Sequence, residues 1–210
     1  MSAIAPSPSL SALPRSEMTE AQFIAWAIAA SDVRAEWVDG KVVIMSAVEL
    51  AHARIVHFLA LLLGAFATER DLGEVLGEPY QIRFAKLRRR RMPDLMFIST
   101  ARSRFLERMQ FEGAPDLIVE VVSPDSQTRD RREKFLEYQQ IGVREYWIID
   151  PLVKGVECYC LKRGKGYVPM PMTDDEIHSI VLPGLFIRPD WFWQPRPPKV
   201  LGLLKQMGVT

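Results

Sequence analysis

The chain has 210 residues, of which 48% are hydrophobic, and a formal net charge of +1, which is enough apolar material for one sizeable core. Near-neutrality excludes a global field that draws the protein to nucleic acid, although local basic clusters still can. The longest apolar stretch, Ile55 to Ala67, contains His57 and Gly64 and is shorter than a bilayer span requires, so no membrane partner is expected.

The opening Met1-Ser2-Ala3-Ile4-Ala5-Pro6-Ser7-Pro8 has no basic region before an apolar core and does not resemble a secretory signal. Residues 1–17 are expected to be a disordered extension. Folded sequence is expected from Met18, with Thr19 and Gln22 forming a capping box ahead of a helix that carries Phe23, Trp26 and Ala27. Asp39-Gly40 between two strand-like runs, Ala35 to Val38 and Lys41 to Met45, predicts a type I′ hairpin. Leu50 to Arg70 is the longest helical pattern.

Two strands are predicted next, Val75 to Phe84, broken by Gly77 and Pro79, and Pro93 to Ile98, with Lys86 to Arg91 as a basic connection. Ala101 to Gln110 reads as a short helix or ordered loop. Asp116 to Val122 is the central strand, ended by Ser123-Pro124. Ser126 to Ile141 reads as an amphipathic helix closed by Gly142, and Glu145 to Ile149 as another buried strand. Two strands flanking Gly164-Lys165-Gly166 form a hairpin on the sheet edge, and Val181 to Trp193 covers the core. After Gln194, a Pro-rich linker and a weakly amphipathic tail complete the chain through residue 210. This order of elements indicates an α/β sandwich with a mixed central sheet.

Few residues suit transition-metal or redox chemistry. His52 and His57 are five apart, which puts them on different helix faces, unlike an i, i+4 zinc pair. Cys158 and Cys160 alternate along a strand and share one face, so reduced, half-buried thiols and a cytoplasmic location are expected. No organic cofactor is expected.

Two acids stand out because each interrupts a β-branched apolar run: Asp94 in Arg91-Met92-Pro93-Asp94-Leu95, and Glu120 in Leu117-Ile118-Val119-Glu120-Val121-Val122. An ionised group there is costly unless it is paired or bound to a cation. Hard divalent ions favour such carboxylates together with water and phosphate oxygens; the alternative is a buried acid serving an arginine or a backbone turn. Period-two alternation places Ile118, Glu120 and Val122 on one sheet face, with Leu117, Val119 and Val121 on the other.

Pro93-Asp94, Glu120-Val121-Val122, Ser123-Pro124, Lys134, Tyr138 and the run Gly142-Val143-Arg144-Glu145-Tyr146-Trp147-Ile148-Ile149-Asp150-Pro151 resemble the Uma2 family, as does Glu36-Trp37-Val38-Asp39-Gly40 followed by His52. The resemblance covers roughly Met18 to Trp193 and implies a restriction-endonuclease-like sandwich of the PD-(D/E)xK nuclease superfamily, with a mixed central sheet flanked by helices. It also implies that Asp94 and Glu120 hold Mg²⁺ or Mn²⁺, with the Val121 carbonyl as a further ligand. The superfamily's usual lysine position is occupied by Val122, and Lys134 on the next helix matches the relocated lysine, with Asp130 as its positioning partner. The other reading of Lys134 is a solvated lysine paired with Asp130.

Glu36 matches an acid of the family's opening hairpin and is a further catalytic candidate, or the partner of an arginine. Arg88, Arg89, Arg90 and Arg91, together with His52, are candidates for nucleic-acid contact. The other reading of the arginine run is a solvated turn whose charges discourage edge pairing. The implied activity is metal-dependent endonucleolytic hydrolysis of DNA, with homodimerisation as in nucleases that cut both strands. The alternatives are a catalytically idle nuclease fold that binds nucleic acid, or a protein-interaction module using its C-terminal aromatics and tail.

Overall fold

A computed structural model describes residues 17–30, 33–45, 49–123 and 129–209. The first helix opens on the predicted cap. Thr19 Oγ1 accepts from the Gln22 amide at 3.2 Å and Gln22 Oε1 accepts from the Thr19 amide at 2.8 Å, which opens α1 (Glu20–Ala29) with a capping box. Asp39 and Gly40 join β1 (Ala35–Val38) to β2 (Lys41–Ile44) with φ of 49° and 88°, the pair of positive angles a type I′ turn demands.

α2 (Leu50–Glu69) has 20 residues and, by length and composition, is long enough to cross a bilayer. It extends beyond the apolar stretch on which the expectation of a shorter segment rested. Here Ile55, Leu59, Leu62 and Phe66 of this helix are buried in the main core. β3 (Gly73–Gly77) and β4 (Gln81–Phe84) divide the predicted broken strand between two sheets, turning at the Gly77–Pro79 corner. β5 (Arg89–Arg91), β6 (Leu95–Ser99), β7 (Gln110–Glu112) and β8 (Leu117–Val121) follow.

A wide π-helical turn, Arg129–Lys134, leads into α3 (Phe135–Ile141), and Gly142 ends that helix at φ 90°. The start of this predicted helix at Ser126, and Pro124 before it, lie outside the described residues. β9 (Glu145–Asp150), β10 (Gly155–Lys162) and β11 (Gly166–Pro169) come next, then the short β12 (Met172–Thr173), β13 (Glu176–His178) and β14 (Phe186–Ile187), and finally α4 (Val200–Gln206).

The strands form a six-stranded sheet in the order β11-β10-β9-β8-β6-β3, a five-stranded sheet β2-β1-β5-β4-β7 and a three-stranded sheet β12-β13-β14. The six-stranded sheet is mixed, because β8 and β9 are parallel while β6 pairs antiparallel to β8. Its two faces bury different cores. Leu95, Phe97, Leu117, Val119 and Val121 pack with α2 and α4, whereas Met96, Ile98, Ile118 and Val122 pack with Tyr138 of α3 and with Ile82 and Phe84 of the five-stranded sheet. This is the face assignment the alternation predicts.

Two expectations need correction. The basic connection contains a strand, β5, that pairs with both β1 and β4 and sits inside the five-stranded sheet. The segment after Gln194 is not a loose tail: Leu203, Leu204, Met207 and Val209 are buried in the main core, and the Arg70 guanidinium of the residue capping α2 donates to the Met207 carbonyl at 2.8 Å. Trp191 and Phe192 are likewise buried and edge onto Phe58, so they are core residues and offer no exposed aromatic docking surface.

Candidate active site

β6 and β8 run antiparallel with Leu95 opposite Val119. One step further along that register sets Asp94 opposite Glu120, and directly opposed residues project from the same face. Both are buried. Asp94 is held from two sides: the Val121 amide donates to its Oδ2 at 2.6 Å, and His52 Nε2, from the first turn of α2, lies 3.1 Å from its Oδ1. His52 Nδ1 is buried with no hydrogen-bond partner among the described residues.

Glu120 faces α3 and the turn before it. Lys134 Nζ lies 2.9 Å from Glu120 Oε1, 3.2 Å from Asp130 Oδ1 and 3.6 Å from Glu36 Oε1. Tyr138 OH donates to the same Glu120 oxygen at 2.8 Å, and Tyr146 OH donates to the Asp130 carbonyl at 3.0 Å. Lys134 is only 1% exposed, so it is not the solvated helix lysine of the alternative reading. The π-helical turn carries Asp130 and Lys134 inward together; such turns are a recurrent feature of functional sites.

Glu36, on β1 of the five-stranded sheet, is fully buried. Its Oε2 accepts from Arg91 at 2.8 Å and its Oε1 from the Met92 amide at 3.1 Å. Burial pushes the Glu36 carboxyl up, but Lys134 and Arg91 outweigh burial and hold it below the usual carboxylate range. Glu36 therefore serves as an arginine partner and also contributes charge beside Lys134.

The arginine run divides differently from the expectation of a phosphate-gripping cluster. Arg91 is fully buried and also bonds Glu137 at 2.8 Å; Arg90 is buried and bonds Glu20 at 2.7 Å; Arg89 bonds Glu137 at 3.0 Å and pairs with Asp39. Only Arg88 is exposed, with its guanidinium 5.9 Å from the centre of the Trp37 ring. The others are enclosed because β5 is an interior strand flanked by acids from α1, β1 and α3.

The electrostatics of the cluster favour added positive charge. Four buried carboxylates, Glu36, Asp94, Glu120 and Asp130, share the interior with two buried cations, Arg91 and Lys134. Glu120 is raised well above its ordinary value by burial, and Asp130, Asp94 and Glu36 add to the rise against the opposing pull of Lys134. Lys134 shifts upward too: burial opposes its charge, but Asp130, Glu120 and Glu36 prevail. Burial is the largest cause of the Glu120 rise, and the Lys134 rise reflects the three carboxylates around its ammonium. Hard oxygen donors with an unbalanced negative charge fit a divalent ion held by Asp94 and Glu120. Among the described residues, no three His, Cys, Asp or Glu side chains are gathered as a ready ligand set.

Two participants have no site role in the sequence reading, although Tyr138 is one of the residues that carry the family resemblance. Tyr138, bonded to Glu120, is four residues after Lys134, so helical spacing contained the signal. Glu137, the partner of Arg89 and Arg91, gave none, because its partners lie on a strand more than forty residues away.

A mixed sheet with acids opposed on neighbouring strands and a lysine on the following helical segment defines the restriction-endonuclease-like class of nuclease folds. The chain belongs to the Uma2 family, described as "Putative restriction endonuclease", whose sequence model matches residues 20–190. The fold is similar to that of a crystal structure of "a putative nuclease belonging to DUF820" from Anabaena variabilis ATCC 29413, with a TM-score of 0.64 and 18% identity, covering 76% of this chain and 89% of that one. No curated protein matches the chain by sequence.

Proposed function

We propose that the protein is a Mg²⁺- or Mn²⁺-dependent endonuclease that hydrolyses phosphodiester bonds of DNA. The observation that carries this reading is the convergence of Lys134 on Glu120, 2.9 Å apart, on the sheet face that also carries Asp94. When bound, a divalent ion supplies Lewis-acid stabilisation of the phosphate and a more acidic attacking water. Asp94 and Glu120 offer the hard oxygens that hold it, and the Val121 amide and His52 fix the Asp94 carboxylate. The Val121 carbonyl adjoins the pair as a further donor.

Lys134 acts through its charge. Three carboxylates hold it protonated, so it neutralises charge developing on the scissile phosphate and does not serve as a base. Asp130, Tyr138 and Glu36 keep the ammonium in place. The test is Mn²⁺-dependent nicking of supercoiled plasmid: Asp94→Asn and Glu120→Gln are each expected to abolish it while retaining the fold. Equal nicking by wild type and both variants would remove the assignment.

One observation favours a second reading, a nuclease fold kept as a non-cleaving DNA-binding module: Glu120 Oε1 already has both Lys134 and Tyr138 as partners. Titration calorimetry with Mn²⁺ separates the two. Silence, together with salt-sensitive DNA binding, selects the module.

A further inference from the structure

With Arg89, Arg90 and Arg91 committed to internal ion pairs, the run leaves Arg88 exposed, and further cations able to meet a substrate lie elsewhere. A pocket of about 300 Å³ opens between the first turns of α2, the turn after β9 and the segment after Trp191; Ala51, Arg54, Phe58, Pro151, Lys154 and Trp193 are among its lining residues. Arg54 and Lys154 are exposed, and among the described residues neither has an ion-pair partner. Trp193 is half-buried, with its ring against Phe192 at 5.9 Å.

The pocket's position follows from the topology. β8 and β9 are parallel, with Val121 opposite Ile149, so Pro151 and Lys154 emerge at the same sheet end as Glu120. Ala51 and Arg54 flank His52, which contacts Asp94. The pocket therefore opens at the sheet end where the acidic pair lies, on the α2 side and across the sheet from Lys134. Between the lining residues Pro151 and Lys154, Leu152 and Val153 of the β9–β10 turn are 45% and 69% exposed, apolar side chains presented to solvent next to Lys154 in the chain.

We infer that this pocket receives one unpaired nucleotide of the substrate strand next to the cleaved phosphodiester, so that the preferred substrate is single-stranded DNA or DNA with an unpaired nucleotide at that position. Arg54 and Lys154 take the backbone phosphates, and the Trp193 indole meets the base. Paired cations and a ring give sequence-tolerant affinity for a single strand, and the volume suits one nucleotide and not a base pair. The inference rests on the nuclease reading for its cleavage geometry but makes a separate claim about binding.

The experiment is fluorescence anisotropy with a fluorescein-labelled single-stranded oligonucleotide and its blunt duplex, in EDTA, with plasmid nicking and oligonucleotide cleavage in Mn²⁺ run in parallel. Wild type is expected to bind the single strand at least about tenfold more tightly than the duplex. The Arg54→Glu/Lys154→Glu pair is expected to lose that preference, and alanine at both sites to flatten the salt dependence by about 0.7 in log–log slope for each cation removed. Trp193→Leu, checked for folding by circular dichroism, is expected to lose about fivefold or more for the single strand. Equal affinity for strand and duplex, or charge-reversed protein that binds like wild type, would overturn the inference even if nicking persists. Absence of Mn²⁺-dependent cleavage of both the plasmid and the single-stranded oligonucleotide, with single-strand binding as expected, would instead overturn the nuclease reading.

Discussion

Lys134 Nζ and Glu120 Oε1 stand 2.9 Å apart, with the lysine 1% and the glutamate 3% exposed. Lys134→Met removes one of two cations from a cluster of four buried carboxylates. It is expected to destabilise the fold by about 3–5 kcal/mol, since breaking a buried pair strands the remaining charge. Mn²⁺ is expected to raise the melting temperature of this variant more than that of wild type, because an added cation replaces what was lost. Thermal melts with and without Mn²⁺ check both parts; an unchanged melting temperature in EDTA would contradict the cluster's charge imbalance.

The arginine run predicts a sharp contrast between neighbours. Arg91→Met removes the guanidinium shared by Glu36 and Glu137, leaving Lys134 beside the first and Arg89 beside the second, and is expected to cost about 3–5 kcal/mol. Arg88→Ala, at an exposed position, is expected to stay within about 0.5 kcal/mol of wild type. Urea denaturation of the two variants is the measurement, and similar midpoints would contradict the burial assigned to β5.

Glu145 gives a pH-dependent prediction outside the active site. Its carboxylate accepts from Trp147 Nε1 at 2.7 Å, Ser179 Oγ at 3.0 Å and the Ile180 and Val181 amides at 2.8 and 3.1 Å, clasping the C-terminal segment to β9. Burial nevertheless pushes it above its ordinary 4.5, because the hydrogen bonds only partly offset the loss of solvent. A carboxyl that holds its proton more tightly in the folded chain contributes stability below the unfolded value, and that contribution is lost as pH rises through the folded one. Glu145→Gln has no such titration and places an amide donor against donors, at a cost of about 1–3 kcal/mol. The melting-temperature gap between wild type and variant is therefore expected to narrow as pH rises above 4.5; a gap that widens would reverse the sign of the shift.

Leu204 of α4 is 4% exposed within the main core. Leu204→Ala is expected to destabilise by about 2–5 kcal/mol, the range for emptying a packed leucine site. Chemical denaturation measures this directly, and a change under about 0.5 kcal/mol would fit a loose tail instead.

What could be read from the chain was local. Thr19 with Gln22, Asp39-Gly40, Gly142 and the alternation around Glu120 each encode their geometry within a few residues, and each forms as expected. Lys134 was reached through the family resemblance, because nothing nearby distinguishes it from a surface lysine. The arginines misled because a guanidinium next to others reads as solvated charge, while Glu20 and Glu36, which enclose Arg90 and Arg91, stand 70 and 55 residues away. α4 has seven residues and a weak pattern of its own. Its place is set by α2, and Arg70 reaches Met207 across 137 residues of sequence.

That last contact gives α2 a second role. The helix is anchored at one end by His52 on Asp94 and near the other by Arg70, whose guanidinium donates to the Met207 and Gly208 carbonyls at 2.8 and 3.3 Å. Twenty helical residues make a rod about 30 Å long. Pinned at both extremities and packed along its length, the rod has little freedom to slide along its own axis. The last residues of the chain thus act as a backstop that keeps His52 in register with the carboxylate it supports, from the far side of the molecule.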